Sequence, residues 1–186
     1  MRLGVMSDTH GNLALMQRVA DRMAGEFRVD AIVHLGDDYA DAMSLKGGGA
    51  RIIAVPGVYE AAWACGSVPH RLIEEFGGIR FLLSHTPTKD GHDFPGDIKP
   101  ELAVAKHSCS VLLHGHTHRF RAVEGDGGLI IICPGHLKCD EDRGQPASFA
   151  VIDAEESDLK VDIYDAAGPL LDACSFVVAG ASPPNR

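Results

Sequence analysis

The sequence lacks any apolar segment that approaches the ~20 residues needed to span a bilayer. A strand-like run begins directly after Met1 and Arg2, where a signal peptide would continue into a longer apolar stretch. We therefore expect a cytoplasmic protein without a membrane segment. Positive charge is also scarce, because 17 Lys and Arg residues stand against 26 Asp and Glu, a formal net charge of −9. This balance argues against general binding to nucleic-acid backbones and leaves room only for a local basic pocket.

Cysteines in a paired or closely spaced pattern are absent as well. The five cysteines are an odd number, lie far apart and form no C-x-x-C pair, which is typical of a reduced protein and gives no sulfur-rich zinc site. Cys133 ends an apolar run and is predicted to be a core residue, although a pairing with Cys139 or a metal is the alternative. The sequence is compatible with either a monomer or a homo-oligomer.

The bulk composition is that of an ordinary globular protein. With 186 residues, 45% of them hydrophobic and 23% charged, the chain is long enough to bury one substantial core. We expect a single domain over residues 1–178. The last residues, 179–186, contain Gly, Ser and two prolines and are expected to form a loose tail.

Strand and helix patterns alternate in the first half of the chain. Apolar runs at residues 3–6, 31–35 and 51–55 predict three strands. Between the first two, apolar residues recur at spacings of three and four over residues 13–27, which predicts a helix with Asn12 as its N-cap. This order favours a parallel sheet with helices against it.

The second half is richer in strands. Residues 71–76 and 79–84 flank Gly77-Gly78, a hairpin signal, and a short helix is predicted around residues 101–107. Further strands are predicted at residues 110–113, 120–124, 129–133, 148–152 and 159–164. Because no linker separates the two halves, we expect two facing sheets in one domain.

Two carboxylates and four imidazoles follow these strands. Each lies beyond the C-terminal end of a strand-like run; they are Asp8, His10, Asp37, His85, His116 and His118. The C-terminal ends of parallel strands meet at one edge of a sheet, so these side chains are expected to gather there. A D-x-H pattern, a Gly-Asp pair or a strand-end histidine is common when it occurs alone. Their joint occurrence with the rarer Gly-His-Thr-His segment at residues 115–118 favours a metal site.

The donor set also indicates which metals and how many. Nitrogen and oxygen donors without thiolates suit manganese, zinc, iron or nickel better than calcium or magnesium. Six such residues are too many for one catalytic metal with an open position. They suit two divalent ions, ~3.5–4 Å apart and bridged by a shared carboxylate, which generate hydroxide and bind a phosphoryl oxygen.

The order of the motifs carries a family resemblance. A D-x-H segment, a G-D pair, a Pro-Gly turn after the third strand, a strand-end histidine and G-H-T-H together resemble the calcineurin-like metallophosphoesterases. The short single domain is similar to their small bacterial and archaeal phosphodiesterase branch, and the resemblance extends from Leu3 to about Tyr164. It implies an α/β fold, a four-layer αββα sandwich of two mixed β-sheets flanked by helices.

The resemblance also implies a role for each residue. Asp8, His10 and His118 would bind the first metal, and His85 and His116 the second, with Asp37 bridging both. A metal-bound hydroxide would attack phosphorus in line in a small phosphoester substrate, a phosphodiester rather than a monoester. On this basis Asp37, His85 and His116 are expected to be catalytic, and manganese is the expected metal.

One position departs from the family pattern. Where the family has Gly-Asn after the third strand, with the Asn serving the second metal, this chain has Gly57-Val58-Tyr59-Glu60. Val58 has no lone pair to donate, so we expect a weaker, more exchangeable second metal. One alternative is that Glu60 takes the place of the missing asparagine as a ligand of the second metal. Two others are a one-metal hydrolase that uses the Asp8, His10, Asp37 and His118 site, and a catalytically impaired scaffold, since the retromer scaffold subunit also resembles these enzymes.

Several residues have open roles near the predicted site. His136 follows Pro134-Gly135 and is a candidate for substrate contact, while His92 is either a lid contact or exposed. Arg143 is a candidate phosphate-facing cation, with a solvated loop residue as the alternative. His114 is predicted to lie either in the core or behind the metal ligands.

Overall fold

The computed structural model describes residues 1–178; the loose tail predicted at residues 179–186 lies outside the described residues. The strands in chain order are β1 (Arg2–Met6), β2 (Ala31–His34), β3 (Arg51–Ala54), β4 (Arg71–Phe76), β5 (Ile79–Ser84), β6 (Val111–His114), β7 (Arg121–Glu124), β8 (Ile130–Cys133), β9 (Glu141–Asp142), β10 (Gln145–Pro146), β11 (Ser148–Glu155), β12 (Asp158–Asp165) and β13 (Leu170–Val177). The α-helices are α1 (Leu13–Gly25), α2 (Tyr39–Ser44), α3 (Ala61–Ala64) and α4 (Pro100–Ala105).

The strands form two mixed sheets and one small hairpin. Sheet A has the order β13-β12-β11-β1-β2-β3, in which β1, β2 and β3 run parallel and β11 pairs antiparallel with β1. Sheet B has the order β4-β5-β6-β8-β7, with β5, β6 and β8 parallel and an antiparallel strand at each edge. Strands β9 and β10 pair only with each other. The predicted pair of mixed sheets is confirmed.

The two sheets pack face to face and carry helices on their outer faces. Apolar residues of both sheets, such as Val5, Val33 and Leu83, form the central core. Helix α1 packs on sheet A through Leu15, Met16, Val19, Ala20 and Met23, the face that its sequence periodicity predicts. Helix α4 packs on sheet B, where Ala103 meets Leu82 and Leu112. The predicted four-layer αββα sandwich is confirmed.

Local signals agree with these elements. The side chain of Asn12 accepts a hydrogen bond from the Leu15 N–H (3.4 Å), as expected of an N-cap. Gly77-Gly78 closes the hairpin between β4 and β5, and α4 lies within one or two residues of its predicted position. In the part of the chain that the structure describes, no helix has both the length and the apolar character needed to cross a membrane.

Strand β13 is the main element that the sequence patterns do not predict. It forms the edge of sheet A, where Leu170 is 52% exposed and Val177 is 79% exposed. An edge strand with little burial needs no strict alternation of apolar and polar residues, so it lacks the usual period-two signal. The short elements α3, β9 and β10 were not predicted either, since each has only two to four residues.

Candidate metal centre

The six residues predicted as ligands meet at one edge of the sandwich. Asp8 and His10 follow β1, Asp37 follows β2, His85 follows β5, and His116 and His118 follow β6. Strands β1 and β2 are parallel in sheet A, and β5 and β6 are parallel in sheet B. Loops that leave the C-terminal ends of all four strands therefore converge above both sheets, as the strand-end positions predict.

Four of the six residues form a tight cluster. Asp8, His10, Asp37 and His118 each present one nitrogen or oxygen atom, and these atoms all lie within 4.8 Å of one another. The Nε2 atom of His118 is 3.0 Å from Asp8 Oδ1 and 3.3 Å from the Nε2 atom of His10. Two carboxylates and two imidazoles are thus gathered around one point.

The other two histidines lie on the far side of Asp37. The Nε2 atom of His85 is 3.2 Å from His116 Nδ1 and 3.5 Å from Asp37 Oδ2. The same Oδ2 atom is 3.7 Å from the Nε2 atom of His10, in the first cluster. The same Asp37 oxygen therefore lies within 3.7 Å of an imidazole nitrogen from each of the two groups of candidate ligands.

The orientation of His85 makes the site complementary to a cation. Its Nδ1 lies 2.8 Å from the carbonyl oxygen of Leu35, which can only accept a hydrogen bond, so Nδ1 carries the hydrogen. In the neutral ring, Nε2 then holds a lone pair that points toward the Asp37 carboxylate. Two acceptors that face each other attract a positively charged ion between them, so these donors fit a divalent metal.

Unusual backbone conformations are concentrated at these residues. Among residues 1–178, nine non-glycine residues have positive φ angles, and five of them are candidate ligands: Asp8 (55°), His10 (47°), Asp37 (46°), His116 (63°) and His118 (58°). Residues other than glycine rarely adopt this left-handed region, which costs of order 1–3 kcal/mol per residue. Such a concentration is characteristic of functional sites.

Two glycines allow the loops to approach this closely. A Cβ atom on Gly115 would overlap Ser7 Oγ and lie 2.7 Å from Asp8 Oδ2. A Cβ atom on Gly57 would overlap Asp37 Oδ1 and lie 2.8 Å from the Asp37 nitrogen. Both positions therefore require glycine if the carboxylates are to stay where they are.

Asp8 is a buried carboxylate that stays ionised. It is 0% exposed, and both of its oxygens accept the His116 N–H (3.1 and 3.0 Å). Burial acts to raise the pKa of Asp8, but the hydrogen bond with His118 and the nearby charge of His85 outweigh it, and the pKa is lowered. For His118 burial acts to lower the pKa, yet the contacts with Asp8 and Asp142 outweigh it, and the pKa is raised.

Two further histidines lie beneath the cluster as neutral rings. Burial lowers the pKa of His34 to about 4, and the pKa of His114 also to about 4. The Nε2 atom of His34 is 2.7 Å from the hydroxyl of Thr9, and Nδ1 of His114 is 2.9 Å from the carbonyl oxygen of Gly115. Both rings support the loops that carry the candidate ligands, so His114 lies behind them.

The segment that departs from the family pattern adds no donor to the cluster. Val58 is buried, with 4% exposure. The carboxylate of Glu60 accepts hydrogen bonds from the backbone N–H groups of Asp37 (2.9 Å), Gly57 and Tyr39. Glu60 therefore holds the loop after β2 against the loop after β3, and its oxygens are engaged by amides rather than turned toward the imidazoles.

The residues with open roles occupy different places around the site. His136 is 0% exposed and its ring lies 5.4 Å from that of His118, so it packs behind a candidate ligand. His92 is exposed at the rim, where its ring contacts Tyr59 and its Nδ1 lies 2.7 Å from Asp90 Oδ1. Arg143 is exposed and donates to the Thr117 carbonyl oxygen (2.9 Å), between the two histidines of the 115–118 segment.

Asp142 is a site residue that the sequence patterns do not reveal. Its Oδ2 atom accepts a short hydrogen bond from Nδ1 of His118. Asp142 belongs to an acidic run at residues 140–142, a pattern that indicates a solvated turn. Only the hairpin of β9 and β10 brings it to the site, so no local signal could have identified it.

A second gathering of donor groups has a structural explanation. His70, Asp93 and Asp97 lie close together, but Asp93 is bonded to Arg71 (2.9 Å) and Lys99 (3.4 Å). Asp97 is bonded to His70 Nδ1 (2.7 Å). These pairs anchor the loop at residues 86–98 to β4, so we assign the group no metal.

Comparison with known proteins places the fold and the site in context. Residues 1–157 match the model of the calcineurin-like phosphoesterase superfamily domain. A phosphodiesterase of Methanocaldococcus jannaschii is 25% identical in an alignment of 174 residues that covers 86% of this chain and 97% of the relative.

Solved structures share the same fold. A conserved protein described as a predicted phosphoesterase from Streptococcus pneumoniae is 24% identical, with a TM-score of 0.68 over 95% of this chain and 97% of its own. A single-site variant of Vps29 from Entamoeba histolytica is 19% identical, with a TM-score of 0.71 over 95% of this chain and 99% of its own. The predicted resemblance to the family and to its small bacterial and archaeal members is confirmed.

Proposed function

Since the chain belongs to the calcineurin-like phosphoesterase superfamily, we propose that it hydrolyses phosphoesters with two divalent metal ions. The proposed ligands are Asp8, His10, Asp37, His85, His116 and His118. The observation that supports this best is the position of Asp37 Oδ2, which lies 3.7 Å from His10 Nε2 and 3.5 Å from His85 Nε2. A phosphodiester is the preferred substrate, because the matching relative is named a phosphodiesterase.

The protein's own side chains prepare the site for this chemistry. When bound, divalent ions lower the pKa of a coordinated water and neutralise charge on phosphoryl oxygens. Asp8 stays ionised through its contact with His118, and both of its oxygens share the single N–H of the His116 amide. The Leu35 carbonyl fixes the ring of His85, so its lone pair is aimed before any ion arrives.

The donor set favours manganese, with zinc, iron and nickel as the other candidates. Burial raises the pKa of the Cys133 thiol to about 11. It is therefore a neutral thiol that contacts Thr117 Oγ1 (3.4 Å), not a thiolate ligand. Because Val58 offers no donor, the second ion, held by Asp37, His85 and His116, is proposed to exchange more readily than the first.

Arg143 is proposed to hold the substrate phosphate. One N–H group of its guanidinium is bonded to the Thr117 carbonyl, which fixes the side chain between His116 and His118. Burial is the main cause that lowers the pKa of His116, and the charge of Arg143 acts in the same direction. The charge of Arg143 also opposes the raised pKa of His118. The remaining N–H groups suit a phosphoryl oxygen, and this cation would replace the contact that an asparagine at position 58 would otherwise make.

The proposal is tested by turnover of bis(p-nitrophenyl) phosphate and p-nitrophenyl phosphate with Mn²⁺, and again after chelation by EDTA. We expect Mn²⁺-dependent cleavage, faster for the diester. Asp37→Ala and His116→Ala should both lose it while keeping the wild-type circular dichroism spectrum. Absence of turnover across a panel of mono- and diesters with Mn²⁺, Zn²⁺, Fe²⁺ and Ni²⁺ would overturn the enzyme proposal.

Two other functions are supported by specific observations. A binding scaffold on the same fold is supported by Val58 and by the structural likeness to Vps29. A one-metal hydrolase is supported by the tight cluster of Asp8, His10, Asp37 and His118. Metal content of the purified protein separates the dinuclear enzyme from the one-metal hydrolase, as two equivalents against one. Turnover separates both from the scaffold, because Vps29 from Entamoeba histolytica also forms a complex with Zn²⁺.

A further inference from the structure

The hairpin formed by β9 and β10 lies across the loop that carries His116 and His118. Its residues bond to that loop at successive positions. Asp142 accepts a hydrogen bond from His118 Nδ1, Arg143 donates to the Thr117 carbonyl (2.9 Å), and the side-chain oxygen of Gln145 accepts the Phe120 N–H (2.6 Å). The hairpin therefore fixes the loop from residue 117 to residue 120.

The contact with Asp142 decides which nitrogen of His118 is free. An ionised carboxylate can only accept a hydrogen bond, so Nδ1 of His118 must carry the hydrogen. Nε2 lies 3.0 Å from Asp8 Oδ1 and 3.3 Å from His10 Nε2. Without a metal it can donate a hydrogen bond to Asp8, and a bound ion would take the place of that hydrogen and use the Nε2 lone pair. The donor atom is thus aimed at the centre of the four-residue cluster.

Other contacts of the two side chains cannot replace this one. The ring of His136 lies at a tilted angle beside His118 and restricts its movement, but it does not touch Nδ1 through a hydrogen bond. Asp142 has one further charged neighbour, Lys138, at 3.7 Å, and both side chains are partly exposed. An exposed ion pair of this kind contributes little to stability, so the main partner of Asp142 is His118.

We infer that Asp142 is a positioning residue for the first metal: it holds His118 in the Nδ1–H tautomer and turns Nε2 toward the ion. The inference rests on the proposed metal-dependent function, and adds a residue from outside the six proposed ligands. A carboxylate that accepts the second N–H of a ligating imidazole both orients the ring and increases its basicity. Asp142 touches neither substrate nor metal, and acts only through His118.

The test compares Zn²⁺ binding by isothermal titration calorimetry in wild-type protein and in three variants. Asp142→Ala removes the acceptor, and Asp142→Asn keeps an acceptor of the same shape without the charge. Asp140→Asn is the matched control, because Asp140 is an exposed acid two residues away and its replacement changes the net charge by the same amount. Zn²⁺ is used because it is diamagnetic and permits NMR on the same samples.

We expect Asp142→Ala to weaken the tighter Zn²⁺ site by roughly 10–100-fold, the usual effect of removing such a partner. The Zn²⁺ affinity of Asp142→Asn should lie between those of Asp142→Ala and wild type, and that of Asp140→Asn should be within about twofold of wild type. Long-range ¹H–¹⁵N spectra of Zn²⁺-loaded wild type should show the His118 hydrogen on Nδ1. That signal should shift or broaden in Asp142→Ala, a change that a purely structural role would not cause.

Equal Zn²⁺ affinity in wild type, Asp142→Ala and Asp142→Asn would overturn the inference, as would a His118 hydrogen on Nε2. If Asp142→Ala does not fold, judged by circular dichroism of the metal-free protein, the isosteric Asp142→Asn decides. Failure of the proposed function has a different signature: wild type would bind Zn²⁺ and Mn²⁺ yet hydrolyse no phosphoester, while the order of Zn²⁺ affinities would still hold. A wild type that binds no metal would overturn both.

Discussion

The Oδ2 atom of Asp37 lies 3.5 Å from the Nε2 atom of His85. These residues follow strands of different sheets, so the contact joins the two halves of the sandwich at the point where the candidate ligands meet. The contact also places a carboxylate oxygen opposite an imidazole lone pair. Two acceptors cannot hydrogen-bond to each other, whereas a metal ion between them could bind both. We regard this pair as the link between the first and the second proposed metal.

Replacing Val58 by asparagine should strengthen the second site. The added amide oxygen could bind the second metal, because position 58 follows Gly57, whose backbone lies against Asp37. We expect the weaker metal to bind about tenfold more tightly, equivalent to about 1.4 kcal/mol. The metal-free variant should be less stable than wild type by about 1–3 kcal/mol, since a polar amide enters a buried position. Calorimetric titration with Mn²⁺ and urea denaturation measure the two effects.

Val58→Ala is the matched control for that prediction. It removes apolar volume but adds no donor, so it should destabilise the protein without improving the second site. If Val58→Asn and Val58→Ala bind Mn²⁺ equally, position 58 does not limit the second metal.

Gly57→Ala should disrupt the proposed bridging carboxylate. The new Cβ would overlap Asp37 Oδ1, so the carboxylate must move away from the histidines. We expect turnover to fall by at least about tenfold, because small displacements of catalytic groups are costly. Gly25→Ala is the control: Gly25 ends α1 in open space, and alanine there should leave activity unchanged and stability equal or higher. Wild-type activity in Gly57→Ala would show that the carboxylate tolerates displacement.

The fold should lose stability on mild acidification because His34 and His114 are buried as neutral rings. Both have a pKa of about 4 in the folded protein, against 6.5 in the unfolded chain. Well above pH 6.5 neither the folded nor the unfolded state binds the proton, so burying these histidines costs no stability. As the pH falls toward 4, the unfolded chain takes up protons that the folded protein excludes, and the folded state loses stability. By pH 5.5 each of these two histidines should lower the free energy of unfolding by about 1.4 kcal/mol. The raised pKa of His118 acts in the opposite direction and reduces the total.

Urea denaturation at pH 7.5 and pH 5.5, with EDTA present, measures this loss. His114→Gln should show a loss that is smaller than that of wild type by about 1.4 kcal/mol, because the variant has one buried imidazole fewer. An identical loss in both proteins would mean that His114 does not control the acid sensitivity.

Arg143→Gln should weaken substrate binding more than it slows the chemical step. Loss of a charge-assisted hydrogen bond to phosphate at an exposed position corresponds to an increase in KM of about tenfold. Arg143→Lys should recover part of the loss, since it restores the charge without the planar fork. Arg18→Gln, on the exposed face of α1, changes the net charge equally and should leave KM unaltered. A normal KM in Arg143→Gln would remove this residue from the substrate site.

The positions of the candidate ligands could be predicted from the sequence because each belongs to a short motif at the end of a strand. The D-x-H and G-H-T-H segments single out Asp8, His10, His116 and His118 as candidates. These segments, over 100 residues apart, meet because sheets A and B pack face to face, since β1 and β6 lie in different sheets. The sheets and α1 were equally predictable, because burial enforces the periodicity of their apolar residues.

The residues that support the ligands could not be predicted in this way. Asp142 reaches His118 only through a two-strand hairpin, and Glu60 acts on the backbone of a loop that lies 23 residues earlier in the chain. Their roles depend on tertiary placement rather than on local pattern. Strand β13 could not be predicted either, because an edge strand buries little apolar surface and its sequence therefore needs no alternation of apolar and polar residues.

The central claim is that Asp37 is shared by two metal ions, and an anomalous difference map from crystals grown with Mn²⁺ tests it most directly. We predict two peaks ~3.5–4 Å apart, one beside Asp8, His10 and His118 and the other beside His85 and His116, with Asp37 between them. A single peak at the first position, or no peak at this edge of the sheets, would contradict the claim.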